Sequence, residues 1–198
     1  MRTRTLSLSL SALSLAALAF LLVACGRRGE EAPSKAEPET PVDVSLTDRR
    51  LLYPSPPDML LTAISAGMPS TGQLQTDVQA LLERYLNGPV GETQVQPFPE
   101  DARLRAVFVL PGGVVVADLS SAARQGGGAD TEMARVYGIV DTVVINFPEV
   151  RAVKILVEGQ EVETLMGHVD LRRPLPPEMR ILTPGLRPDL GAATHGTN

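Results

Sequence analysis

The stretch Leu104-Arg105-Ala106-Val107-Phe108-Val109-Leu110-Pro111-Gly112-Gly113-Val114-Val115-Val116-Ala117-Asp118-Leu119 decides the fold. Two apolar runs flank a Pro-Gly-Gly turn. Proline presets φ, and glycine supplies the positive φ of a tight reversal. The spacing predicts a β-hairpin, Leu104–Leu110 returning as Val114–Leu119. Alternation puts Leu104, Ala106, Phe108 and Leu110 on one face, Val107 and Val109 on the other. Both faces are apolar, whereas a sheet with one wet face alternates cleanly. Something must cover the second face: an N-terminal hairpin, the C-terminal tail or a partner. Val107, Val109, Val114 and Val116 are the candidate interaction surface.

Helical periods flank this hairpin. Leu74, Val78, Leu81, Leu82, Tyr85 and Leu86 form one apolar face, ended by Asn87-Gly88-Pro89. Val90 to Asp101 reads as a loop. After Gly126-Gly127-Gly128, the N-cap candidates Asp130 and Thr131 open a second helix. It carries Met133, Val136, Tyr137, Val140, Val143, Val144 and Phe147, and Pro148 stops it. Val153, Ile155 and Val157 alternate as a last strand, and Glu158-Gly159-Gln160 turns the chain back. Near the N-terminus, Val42, Val44 and Leu46 alternate with polar residues. The turn cluster Tyr53–Asp58 separates them from the apolar run Met59–Ser65, which predicts another hairpin. The order ββαββαβ predicts an α+β fold. It is a two-layer sandwich, a mostly antiparallel sheet with two helices on one face.

The 198 residues carry a formal net charge of −5, which excludes a basic nucleic-acid binder as the default. Trp is absent and aromatics are only 4%, which disfavours a stacking platform for bases or sugars, and two His are too few for a His-rich metal site. The single Cys allows no internal disulfide. That cysteine has another use. Arg2 and Arg4 form a basic start, and Leu6 to Ala24 follows without charge, its dense apolar part at Leu15–Ala24. Leu22-Val23-Ala24-Cys25 resembles a lipobox, in which the cysteine becomes lipidated and N-terminal after cleavage. Each buried CH₂ of an acyl chain such as palmitate adds ~0.8 kcal/mol, so multiple chains hold a protein stably at a membrane. Gly26, not Asp, follows the cysteine, which does not favour retention at an inner membrane. The expected location is outside the cytoplasm, anchored to the cell membrane or an outer membrane. Residues 26–41 are polar and Pro-rich, a tether reaching roughly 20–25 Å. The chain thus divides into signal peptide (1–24), lipidated Cys and linker (25–41), folded domain (42–171) and Pro-rich tail (172–198). The tail is expected to be extended and mostly unpacked, with Met179, Ile181 and Leu182 able to clip it to the domain.

Several ordered segments resemble a GerMN domain. They are Ala80-Leu81-Leu82-Glu83 with Asn87-Gly88-Pro89, then Val116-Ala117-Asp118-Leu119-Ser120. Tyr137, Asn146-Phe147-Pro148 and Val150 follow, then Val153 to Gly159, and Gly167-His168-Val169-Asp170-Leu171-Arg172-Arg173-Pro174. The resemblance runs from about Val42 to Pro174 in a single copy rather than a tandem pair. It implies a small domain similar to ring-building-motif folds, exported and tethered, and not an enzyme. It also implies roles in sporulation assemblies or, as in LpqB-like lipoproteins, in envelope signalling. It supplies no catalytic residue and no cofactor. The expected partners are the membrane, through Cys25, and envelope proteins or further copies of the chain. A ligand-sensing lipoprotein is the alternative, and a hydrolase the weaker one.

The remaining chemistry-bearing groups have plainer readings. Gly126–Gly128 before a helix could cradle an anion but lacks a Walker lysine or Rossmann spacing, and reads as a loop and cap. Asp118, Ser120, Ser121 and His168 have the residue types of a hydrolytic triad without a G-x-S-x-G elbow. Asp118 is expected in solvent, Ser120 as a turn cap and His168 bonded to backbone. Glu158, Glu161 and Glu163 read as a solvated cluster rather than a cation site. Asn146-Phe147-Pro148-Glu149-Val150 reads as a helix stop with Phe147 in the core. Arg172-Arg173 adds only ~2 kcal/mol at an anionic lipid surface.

Overall fold

The computed structural model describes residues 45–91 and 93–186. The signal-peptide, lipobox and tether readings, Val42 and Val44 of the first predicted strand, and residues 187–198 lie outside the described residues. The elements are β1 (Ser45–Ser55), β2 (Leu60–Ser70), α1 (Leu74–Leu86), β3 (Leu104–Leu110), β4 (Val114–Leu119), α2 (Ala129–Asn146), β5 (Ala152–Val157) and β6 (Gln160–Glu161). Short 3-10 turns sit at Ser121–Arg124, Met179–Ile181 and Pro184–Leu186. This is the predicted α+β order.

β3 and β4 pair as the sequence predicts, from Leu110↔Val114 at the turn to Leu104↔Leu119. Gly113 has φ +76°, and a Cβ there would lie 2.5 Å from the Glu149 carbonyl, so only glycine fits. β4 then pairs with β5 in parallel, and β5 with β6 antiparallel, giving a four-stranded sheet ordered β3-β4-β5-β6. The parallel pair requires a crossover, and α2 provides it. Val107, Val115, Ala117, Leu119, Val153 and Ile155 meet Val78, Leu81 and Leu82 of α1 and Val136, Ile139, Val140 and Val143 of α2 in one core.

β1 and β2 form a separate two-stranded sheet, longer and later than predicted. The expected turn at Tyr53–Asp58 lies at Pro56–Met59 instead, because β1 runs through Pro54. Proline is tolerated there for a geometric reason. Arg50 and Leu52 direct their N–H groups away from β2, to Asn146 Oδ1 at 2.9 Å and Thr142 Oγ1 at 3.0 Å. Pro54 has the same parity, and its carbonyl accepts from the Val95 N–H at 2.9 Å. Its missing N–H therefore removes no ladder bond. Leu51 and Tyr53 enter the main core, while Leu52 enters a second cluster with Leu61 and Leu182. Tyr53 stacks on Tyr85 of α1 at 4.6 Å, and Phe98 meets Tyr85 edge-on at 6.3 Å.

The expectation of a mostly unpacked tail from Arg172 is corrected through Leu186. Leu175 exchanges both backbone hydrogen bonds with Val153, at 2.8 and 2.9 Å. Leu182 is buried beside Leu61, and the Thr183 N–H donates to the Leu61 carbonyl at 3.0 Å.

Candidate functional site

The outer face of the main sheet, away from the helices, is the candidate site. A register shift between Leu104 and Ala106 changes which side chains reach it. Leu104, Val107 and Val109 pack on the core side, and Arg105, Phe108 and Leu110 point outward. Val107, offered by the sequence as a surface residue, is 2% exposed and belongs to the core. Val109 packs against the same core. Val114 and Val116 lie opposite Leu110 and Phe108, so they share the outer face, with Val116 buried and Val114 half-buried. The predicted surface therefore mixed residues of both faces. Strict alternation could not reveal the bulge, because Leu, Ala and Val suit either side. The exposed apolar pair is Phe108 at 50% and Leu110 at 46%. β3 is the edge strand of the sheet, so the pair stands beside a free strand edge.

Charged groups bound this patch. Arg105 Nη1 donates to Asp118 Oδ2 at 2.7 Å, and its Nε lies 3.3 Å from Glu158 Oε2. Asp118 Oδ1 accepts from the Gly159 N–H at 2.8 Å. Asp118 is thus buried and paired, not solvated. Lys154, also buried, donates from Nζ to the carbonyls of Leu171 and Arg172 at 2.8 and 2.9 Å and faces Glu161 at 3.6 Å.

The other sequence candidates are dispersed. Ser120 Oγ accepts from the Arg103 N–H at 3.0 Å rather than capping the next turn. The Ser121 N–H donates to Glu158 Oε1 at 2.8 Å. His168 Nδ1 lies 2.9 Å from Glu132 Oε2, so its partner is a carboxylate and not the expected backbone. Asp118 reaches Ser121 only through Arg105, Glu158 and the serine's backbone N–H, while the Ser120 hydroxyl and His168 bond elsewhere, so no serine hydroxyl is paired with His168 or Asp118. Glu158 and Glu161 face Arg105 and Lys154 respectively, and no group of three metal-ligating side chains occurs among the described residues. Gly128, not Asp130 or Thr131, caps α2, and Asp130 and Glu132 sit in its first turn. Two acidic residues in the first turn put negative charge near the positive helix end, which opposes anion binding. Phe147 and Val150 are buried, and Arg49 lies over the Phe147 ring at 4.4 Å. Arg172 forks onto Asp170 at 2.7 and 2.9 Å.

Sequence reasoning missed three buried charges on α2. Glu132 is fully buried, and its carboxylate accepts from the N–H groups of Leu165, Met166 and His168 at 2.7–2.9 Å. Burial pushes its pKa up, but the N–H donors and the His168 ring outweigh this and hold it below the ordinary value. Arg135 donates to the Pro97 and Ala123 carbonyls at 2.7 and 2.9 Å. Asp141 is 2% exposed; its Oδ1 accepts from the Glu178 N–H at 2.9 Å, and its Oδ2 has no partner. Burial pushes Asp141 up to about 7, with the Glu178 carboxylate adding to it and the Glu178 N–H opposing. The sequence signals only that the helix is apolar around more than one face; it does not say which charges are buried, since Asp130 of the same helix is exposed.

The fold and site define an α+β domain whose two helices cover the inner face of a mixed sheet, leaving an apolar patch outside. The chain belongs to the Germane family, described as sporulation and spore germination, whose family model matches residues 51–163, more than half of the chain. The tandem GerMN domains of the sporulation protein GerM from Bacillus subtilis share the fold, with a TM-score of 0.51 and 20% identity. That match covers 67% of this chain and 46% of the tandem protein, less than half its length. The first GerMN domain of the same protein scores 0.48 at 15% identity, covering 70% of this chain and 98% of that one. A Clostridium perfringens protein provisionally described as a lipoprotein scores 0.49 at 22% identity, covering 67% and 88%. No curated protein sequence matches significantly.

Proposed function

We propose that this protein is an exported, lipid-anchored interaction or scaffolding module of the cell envelope, making its partner contact through the outer sheet face. The observation that carries this reading is the exposed Phe108–Leu110 pair on an edge strand, continuous with half-buried Val114. Large apolar side chains grouped at a strand edge favour burial against another protein. The lipobox at Leu22–Cys25 supports the anchoring, and membership of a sporulation and spore-germination family supports an envelope role. His168 pairs with Glu132 and Ser120 Oγ with the Arg103 N–H, rather than with each other or with Asp118, which favours binding over hydrolysis.

In vivo crosslinking of the full chain in its native envelope tests this reading. Phe108→Ser with Leu110→Ser should keep the fold and lose the crosslinked partner. Val107→Ser should instead destabilise the domain, because it places a hydroxyl in the core. Unchanged crosslinking in a folded double variant would remove this face from the interface. Cys25→Ser should separately abolish acyl labelling and membrane fractionation. The second reading, a ligand-sensing lipoprotein, is favoured by a cavity of about 430 Å³ lined by Leu52, Ile145, Met179 and Leu186 among others.

A further inference from the structure

The segment Pro177–Leu186 lies across the domain as a strap, and Leu182 is its only buried residue. Leu182 packs with Leu52 of β1 and Leu61 of β2, and Ile145 of α2 meets the same cluster. The Thr183 N–H donates to the Leu61 carbonyl at 3.0 Å, and the Glu178 N–H donates to Asp141 Oδ1 at 2.9 Å. Pro177, Met179 and Leu186 of the strap line the 430 Å³ cavity together with Leu52, Val144 and Ile145. A segment with one buried side chain and a cavity along it belongs to the part of a fold that opens most readily.

Asp141 joins this strap to α2. It is 2% exposed, its Oδ1 meets the Glu178 N–H, and its Oδ2 has no partner. A buried carboxylate stays ionised when several donors or a cation hold it. Glu132 of the same helix is such a case, with three backbone N–H groups and the His168 ring. Asp141 has a single donor. On the strap, the Glu178 carboxylate and Arg180 are forked on each other at 2.6 and 2.8 Å. Tyr85 of α1 and Tyr137 of α2 are phenols whose pKa burial raises, so both stay neutral near pH 7. Arg50 of β1 is exposed at the cavity rim. The Glu178 carboxylate opposes a negative charge on Asp141. A neutral carboxyl group therefore fits the closed strap, and a carboxylate fits it poorly. Lifting the strap lets water reach the carboxylate and removes that cost.

We propose that Asp141 is a proton-operated latch: protonated, it holds the strap closed over Leu52, Leu61 and Ile145, and its ionisation favours an open strap that uncovers them. Burial, with Glu178 adding to it, pushes Asp141 up to about 7 and so sets the latch near neutrality. With the strap open, the carboxyl group returns toward its ordinary value of 3.8. The closed form keeps a proton that the open form releases between those values. Opening therefore grows as pH rises toward 7 and levels off above it.

Amide hydrogen exchange on the full chain, followed by NMR from pH 5 to 8, tests the latch. Protection factors divide out the intrinsic pH dependence of exchange. The Thr183 N–H should be less protected than the amides of β4, because the strap opens without the sheet. Its protection should fall by up to about ten-fold per pH unit and level off above neutrality. The Asp141 carboxyl carbon should titrate over the same range. Asp141→Asn keeps an oxygen for the Glu178 N–H and cannot ionise, so it should remove the fall. Protection at Thr183 equal to that of β4, pH-independent protection in the wild type, or an undiminished fall in folded Asp141→Asn would each overturn the proposal. The carboxyl-carbon titration needs no variant. A midpoint in the ordinary carboxylate range overturns the latch even if Asp141→Asn fails to fold. Neither readout involves the Phe108–Leu110 face, so the crosslinking result stands or falls separately.

Discussion

Gly138 and Asp141, one turn of α2 apart, show how much single residues hold here. A Cβ on Gly138 would overlap Tyr85 Oη and lie 3.0 Å from its Cζ. Tyr85 is fully buried between Tyr53 and Phe98 and has nowhere to retreat. Gly138→Ala should therefore destabilise the domain by about 1–3 kcal/mol, despite alanine's higher helix propensity. An unchanged denaturation midpoint would show that the tyrosine yields. Asp141 makes a prediction in pH. Its folded pKa of about 7 stands above the ordinary 3.8, so the folded chain keeps a proton that the unfolded chain releases between those values. Stability contributed by this group is complete below the lower value and falls as pH rises toward 7, by at most about 1.4 kcal/mol per unit. Asp141→Asn should flatten that limb in denaturation measured from pH 4 to 8. Glu132 acts with the opposite sign. Its pKa is lowered, so its contribution is present above the ordinary carboxylate range and lost as pH falls below it. Neither residue's role was legible in the sequence, because burial of a charge is decided by what packs on it from distant segments.

At the scale of the element, α2 is more than a core helix. Thr142 and Asn146, four residues apart, lie on one helical face and supply the hydrogen bonds that the free edge of β1 lacks. Thr142 accepts from the Leu52 N–H, and Asn146 both accepts from the Arg50 N–H and donates to the Arg50 carbonyl. The helix thus does for β1 what another strand would do. Thr142→Val keeps the shape and strands a buried N–H, which should cost about 1–3 kcal/mol. Amide exchange at Leu52 should accelerate in that variant, and unchanged exchange would deny the role. The helix itself was legible, from the period of Val136, Val140, Val143 and Val144 and the Pro148 stop. Asn146 was legible only as the helix end, since its partner lies 96 residues away in the chain.

At the scale of the whole molecule, the segment beyond Arg173 closes the domain. Leu175 extends the main sheet beside Val153, and Leu182 covers Leu61 and Leu52. Truncation after Arg173 should lower stability by at least roughly 1.5–3 kcal/mol, the value of one buried leucine. An unchanged Tm would mean that this segment merely rests on the surface. Local signals determined both helices, the Leu104–Leu119 hairpin, the Val153–Val157 strand and the ββαββαβ order. Period, proline and glycine act within a few residues, so a sequence displays them directly. The tertiary structure decided which face of β3 is exposed, where β1 and β2 begin, that the Pro-rich segment is packed, and that α2 buries three charges. Each of those outcomes depends on contacts between segments far apart in the chain. A valine at 107 and a phenylalanine at 108 satisfy strand chemistry equally, and only the bulge and the helices opposite them assign one to the core and the other to water.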